Sequence, residues 1–338
     1  MYTTRAPPLL CFDERSVAKE QSMARSSNKV FVVGGRDDEV REAGRPRGMG
    51  LPADGQGVGH QALDDAGISY DAVEQGYVGY CSGDSTSGQR ALYELGMTGI
   101  PIVNVNNNCS TGSTALYLAA QSIRGGLADC VLALGFEKMQ PGSLGGGAQD
   151  RESPPWQPRQ GPRGVRRVRV PPRGTVDVWC GGPRTHEEAR QHRRALREDR
   201  LQEPQTLGEQ PVRAVSAGVQ PRRRARARMI SDPLTKLQCS PTSDGSGGAA
   251  IVVSEQFVED HGLAEQAVEI VGQAMTTDFA STFDGSAANV IGHDMNVKAS
   301  QQVYQQSGLG PEDFQVIELH DCFSANELLL YEALGAVR

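Results

Sequence analysis

IPIVNVNNNCSTGSTALYLAAQSIRGGLADCVLALG, residues 100–135, decides the fold. It opens on an apolar run, Ile100–Val105, and crosses a polar turn. Apolar residues then follow at helical spacing (Ala115, Leu116, Leu118, Ala119, Ala120, Ile123), and the stretch passes Gly125-Gly126 into a second apolar run, Cys130–Gly135. Short apolar runs bounded by turn residues read as buried strands, and the periodic stretch between them as a helix. A strand, a helix and a strand in such short order form the repeating unit of a parallel or mixed α/β sheet. Within the turn, Asn104–Ser113 (NVNNNCSTGS) places Cys109 where the strand ends and the helix begins. The unpaired N–H groups and positive dipole end of that helix favour a thiolate there. The same placement also suits a small buried residue at a tight turn, and spacing alone leaves both readings open.

The alternation continues outward. Val30–Gly34 (VFVVG) reads as a strand, ALDDAGI as a helix end with Gly67 at its C-cap, and YDAVEQGYVGYCSG as a turn into a strand. Gln89–Leu95 reads as a helix stopped by Gly96. Further on, Gly245–Ser254 and Ala267–Met275 read as strands, Gly292–Gln306 as a helix, Val316–Leu319 as a strand, and Ala325–Leu334 as a helix behind it. The pattern therefore occurs twice, and a duplicated α/β architecture is expected. Residues 35–58, rich in Gly, Arg and Pro, show no periodicity, and order is expected to resume near His60.

Between the two halves lies a stretch of another kind. Arg151–Arg228 holds 19 arginines, 10 prolines, 8 acidic residues and no lysine, about +11 within a chain of net charge -7. Such a composition buries too little apolar surface to offset the entropy of ordering it. The expected organisation is an N-terminal extension at 1–28, a first half at 29–150, the arginine-rich segment at 151–228, and the remainder at 229–338. Residues 1–28 have no apolar core of signal-peptide type, and Met23 is an alternative start. No apolar run approaches the roughly 20 residues of a membrane span. The seven cysteines are scattered, with no pair or His cluster at zinc-like spacing, so any functional cysteine is expected to act as a thiol.

A second constellation is Ile317–Leu329, IELHDCFSANELL, which sets His320, Asp321 and Cys322 ahead of a helix. Strand C-termini in α/β sheets are common ligand sites. His320 could donate to a developing oxyanion and Cys322 could carry a proton. A plain helix start capped by Asp321 or Ser324 is the alternative.

NVNNNCSTGSTALYLA, CVLALGFEKMQPGSLG, LQCSPTSDGSGGAA and VIELHDCFSANELLLYEALG together closely resemble the thiolases of sterol carrier protein x type, which are peroxisomal 3-ketoacyl-CoA thiolases. The resemblance covers 29–34, about 60–150 and about 229–336, and the HDCF motif separates this group from thiolases with an asparagine motif there. It implies a layered thiolase fold of two βαβαβ halves, the second incomplete here. It also implies thiolytic cleavage of branched or sterol-derived 3-ketoacyl-CoA, with acyl-CoA and CoA as partners and no metal or bound cofactor. Cys109 matches the family's nucleophile, His320 its oxyanion-stabilising histidine, and Cys322 its proton-shuttling cysteine. Relatives are homodimers joined through the strand matching about Ile100–Asn106.

The chain departs from the family at 35–58 and at 151–228. The second departure is about as long as the family's own segment there, so it reads as out-of-frame sequence, with a disordered arginine-rich insert as the alternative. The family's GHP motif, whose histidine activates the nucleophile, has no match. His60, His186, His192, His261 and His293 lie in no corresponding motif. The chain as written is therefore expected to be inactive. Ala336-Val337-Arg338 is not a peroxisomal tripeptide of SKL type, so a peroxisomal location rests on the resemblance alone. Two other functions are weighed: a non-catalytic remnant that keeps the pairing surface, and polyanion or RNA binding by the arginine-rich segment. The latter has few aromatic residues for stacking.

Overall fold

The computed structural model describes residues 29–37, 41–42, 51–139, 227–231, 234–240, 243–283 and 286–336. The expectations for 1–28, for 151–228 apart from its last two residues, and for His186 and His192 lie outside these.

The 100–135 unit forms as the sequence indicates: β4 (Ile102–Val105), α3 (Thr111–Arg124) and β5 (Cys130–Lys138). The other strands are β1 (Val30–Asp37), β2 (Arg41–Glu42), β3 (Gln75–Gly79), β8 (Ser243–Ser254) and β9 (Val268–Glu269). All seven join one sheet in the order β4-β3-β5-β8-β1-β9, with β2 also on β8. β3 runs parallel to β4 and β5, while β8 runs antiparallel to β5 and β1.

Because β5 lies mid-sheet with helices on both faces, its apolar run is continuous rather than alternating. Cys130, Leu132, Leu134 and Phe136 pack on one face with α1 (Leu51–Ala66) and α2 (Ser87–Tyr93), and with α4 (Glu255–His261). Val131 and Ala133 point the other way, onto Ala119, Ala120 and Ile123 of α3. The small residues on that second face let α3 lie close to the sheet.

Three expectations change. Residues 35–58 are not without order where described: β1 continues to Asp37, and α1 begins at Leu51, nine residues before His60. Glycines hide this helix from periodicity, but one of them is a packing device. A Cβ on Gly59 would stand 2.9 Å from a Leu95 methyl carbon, so glycine lets α1 approach the chain after α2 without displacing that side chain. The strand at 267–275 shortens to β9. Beyond it, 270–279 runs alongside α6 (His293–Ser307) instead, with the Gln273 N–H donating to Gln306 Oε1 at 3.0 Å and the Thr276 hydroxyl to Met295 O at 3.1 Å.

Residues 316–319 form no strand. Among the described residues no neighbouring strand offers them a ladder, and Val316 is 82% exposed. The helix after them is present as α7 (Ser324–Ala333), with the Ser300 hydroxyl of α6 donating to Ala333 O at 3.0 Å.

Ahead of β8, β6 (Met229–Ser231) and β7 (Leu234–Thr235) make a two-stranded ribbon leading into a single 3-10 turn at Lys236–Gln238. The remaining helix, α5 (Ala287–Val290), precedes α6.

Candidate active site

Past β4 the chain makes a turn stapled by its own polar residues. The Asn107 N–H donates to Thr111 Oγ1 at 2.8 Å, and the Asn107 amide reaches Thr114 Oγ1 at 3.0 Å. The Ser110 hydroxyl donates back to Asn107 O at 2.8 Å. Asn108 sits in the left-handed region at φ 48°, which asparagine tolerates better than most residues. Immediately after it Cys109 is exposed, two residues ahead of α3. A small buried packing residue would be covered, and Cys109 is not.

Two glycines bring the head of α3 down onto the sheet. Gly79 and Gly135 are register partners at the ends of β3 and β5. A Cβ on Gly79 would stand 2.7 Å from Thr111 O and Cγ2, and one on Gly135 would stand 3.3 Å from the Gly112 Cα. The Cys109 turn is thereby seated at the C-terminal ends of the parallel strands, where α/β sheets place their ligands.

Cys81, in the loop after β3, adjoins this turn. Its Sγ donates to Asn108 O at 3.1 Å and lies 3.3 Å from Thr111 Oγ1. Burial pushes the Cys81 thiol up, as do the neighbouring charges of Glu137 and Cys109, while the Thr111 hydrogen bond opposes them.

Cys322 stands at the entrance to α7, partly buried. Burial first, then the charge of nearby Cys109 and of Asp321, pushes its thiol up to about 11, against the opposing pull of backbone N–H groups. It therefore stays protonated at neutral pH.

The chain around Cys322 is held by the segment after β7. The Ser240 N–H donates to Cys322 O at 2.8 Å, Cys239 and Phe323 form an antiparallel bridge, and buried Gln238 donates through Nε2 to Ser324 Oγ at 3.2 Å. Neither Asp321 nor Ser324 caps α7: the cap position is Phe323, with no side-chain hydrogen bond, which removes the helix-capping alternative. His320 is exposed, and its carbonyl accepts from the Asn326 side chain at 2.5 Å. Among the described residues no hydrogen bond joins its imidazole to either thiol.

Of the other histidines, His60 is exposed and His261 stacks on Phe257, with ring centroids 3.8 Å apart. Cys81, Glu137 and Gln238 escaped the sequence reading. Glu137 and Gln238 lie inside the conspicuous runs GFEKM and LQCSP, but only the fold shows what they touch. Among the described residues no group of three or more His, Cys, Asp or Glu is placed to hold a metal ion, and no helix is long and apolar enough to cross a membrane.

Family comparison matches residues 50–152 to the thiolase N-terminal domain and residues 281–338 to the thiolase C-terminal domain-like family. The chain is 44% identical to sterol carrier protein 2 of Rattus norvegicus over 327 residues, covering 91% of this chain and 56% of that protein. It thus spans little more than half the length of that relative. It is 38% identical to non-specific lipid-transfer protein-like 2 of Caenorhabditis elegans, covering 93% of this chain and 77% of that one. Among solved structures, the Acat5 thiolase of Ascaris suum in complex with coenzyme A superposes with a TM-score of 0.65 at 17% identity, covering 91% of this chain and 84% of that one. Human mitochondrial 3-ketoacyl-CoA thiolase gives 0.61 at 18% identity, with the same two coverages.

Proposed function

The chain belongs to the thiolase family, and on that premise we propose that it transfers acyl groups from 3-ketoacyl-CoA to CoA through a thioester on Cys109. One observation carries this reading: an exposed thiol stands at the head of α3, at the C-terminal ends of the parallel strands, and a second thiol at a helix entrance, Cys322, is pushed up to about 11. The first is a nucleophile and the second a proton donor.

The Cys109 thiolate attacks the 3-keto carbon, and His320 donates a hydrogen bond to the oxyanion that forms. The bond between C2 and C3 breaks, leaving the shortened acyl group as a thioester on Cys109. The departing enolate takes the proton of Cys322 and leaves as acetyl-CoA or propionyl-CoA. Cys322, now a thiolate, accepts the proton of incoming CoA, whose sulfur attacks the thioester. Acyl-CoA leaves and the Cys109 thiolate is restored. CoA is a co-substrate, and the steps call on no metal or bound cofactor.

Relatives named for sterol carriage and lipid transfer support sterol-derived or other lipid acyl chains as substrates, and the resemblance to thiolases of sterol carrier protein x type supports branched chains and a peroxisomal setting. Pairing of two copies along β4 is supported by its place at the sheet edge among the described residues, with Val103 44% exposed, because an unpaired strand edge invites a partner strand.

The test is stoichiometric and does not depend on turnover, and so also decides whether the inactivity expected of the chain as written reaches the acylation step. Purified protein mixed with a 3-ketoacyl-CoA in the absence of CoA should release one equivalent of the short acyl-CoA. The peptide carrying Cys109 should gain the mass of the shortened acyl group. No adduct on Cys109, while iodoacetamide still labels it, would refute the reading.

A further inference from the structure

The structure assigns Glu137 as the positioning residue of the Cys109 turn, an inference that rests on the acyl-transfer reading. Glu137 lies near the end of β5, where pairing with β8 slips between Glu137 and Lys138. Such bulges re-aim the side chain they carry. Here the carboxylate meets the loop after β3. Its Oε2 accepts the Cys81 N–H at 2.9 Å and its Oε1 accepts the Ser82 N–H at 3.1 Å. A carboxylate bridging two successive backbone N–H groups makes charge-assisted bonds, stronger than neutral ones.

What Glu137 fixes is Cys81, and what Cys81 touches is the peptide linking Asn108 to Cys109. The Asn108 carbonyl receives three donors: Cys81 Sγ at 3.1 Å, the Thr111 N–H at 3.1 Å and the Thr111 hydroxyl at 2.5 Å. The Thr111 donors belong to the turn itself, so Cys81 ties that carbonyl to the sheet side of the site. The plane of this peptide sets the direction of the Cys109 N–H and is the base from which φ and χ1 of Cys109 aim the thiol. These donors hold it with Asn108 in the left-handed region at φ 48°, where asparagine is tolerated but few other non-glycine residues are. Glu137 therefore acts on the nucleophile through Cys81.

E137Q in the full chain tests this, since an amide oxygen can accept at only one of the two positions. Two measurements separate the possible failures. The first compares acylation of Cys109 by 3-ketoacyl-CoA with its alkylation by iodoacetamide. Acylation needs an aligned thiol and should fall about 10- to 100-fold, the scale of a small misplacement, while alkylation stays within about twofold. C81S, which keeps a hydroxyl donor to Asn108 O, should lose less than C81A. The second is amide hydrogen exchange, which should quicken across 106–111 in E137Q and stay unchanged across 115–123.

Unchanged exchange at 106–111 would overturn the assignment whatever the chemistry at Cys109. Wild-type rates of acylation in E137Q would also overturn it, as would a parallel fall in acylation and alkylation. Quickened exchange together with a wild-type protein that never acylates would instead uphold the positioning of the turn and refute the acyl-transfer reading.

Discussion

Cys109 stands on a turn seated on a seven-stranded sheet, with glycines beneath it and side-chain hydrogen bonds closing it. Cys322 stands on a turn with no strand before it, held by one β-bridge and by Ser240 and Gln238 from a segment more than 80 residues earlier in the chain. Both precede a helix, yet one is fixed by its local fold and the other by a distant clasp. The nucleophile's turn can therefore be perturbed through the sheet, and the proton donor's turn through the clasp, each without the other.

The sharpest way to break the comparison is to remove each sulfur. C109S should lower acyl-enzyme formation by about 10⁴-fold or more, because a serine hydroxyl is a far weaker nucleophile than a thiolate. The mass of the acylated peptide checks it. C322A should leave Cys109 open to iodoacetamide but slow acylation by about 100- to 10,000-fold, the span of general acid–base catalysis. The two thiols should also separate by pH. With its thiol pushed up to about 11, Cys322 is protonated and unreactive at pH 8. Its alkylation should rise about tenfold for each pH unit toward that value, as the thiolate fraction does. Alkylation of Cys322 that is already complete at pH 8 would contradict this.

Two further substitutions probe the supports. G79A forces a Cβ to 2.7 Å from Thr111 O and should cost about 3 kcal/mol, the upper end for overpacking, seen as a lower Tm. Its damage should centre on the Cys109 turn. Q238L removes the donor to Ser324 and the acceptor of the Thr235 N–H, and should cost about 2 kcal/mol. Hydrogen exchange should quicken at 320–326 and stay unchanged at 104–113. Equal quickening at both turns would show that they are not independently held.

Stability should also fall on the alkaline side. Burial, with the charges of Glu74 and Asp129, pushes the Cys130 thiol up to about 12, whereas an unfolded cysteine ionises near 8.5. Between these values the unfolded chain binds fewer protons than the folded one, so stability drops as pH rises, by at most about 1.4 kcal/mol per unit. A Tm that holds steady from pH 8 to 11 in wild type, and matches that of C130A throughout, would argue against a buried neutral thiol.

By itself the sequence determined the strand–helix–strand unit at 100–135, Cys130–Gly135 as a buried strand, and the helices around 293–307 and 324–333. Their apolar periods are local and strong enough to specify each element. It also marked Cys109 and Cys322, because a thiol at a helix entrance is a local feature. Tertiary structure alone decided three things. Leu51–Ala66 is a helix although its glycines break the apolar period, and it packs so close to β1 that a Cβ on Gly34 would stand 2.6 Å from Ala62 O. Residues 316–319 stayed out of any ladder, because a strand exists only beside another strand. Glu137, Cys81 and Gln238 became supports of the site because hydrogen bonds joining residues 27 to 86 positions apart leave no spacing signal in a sequence.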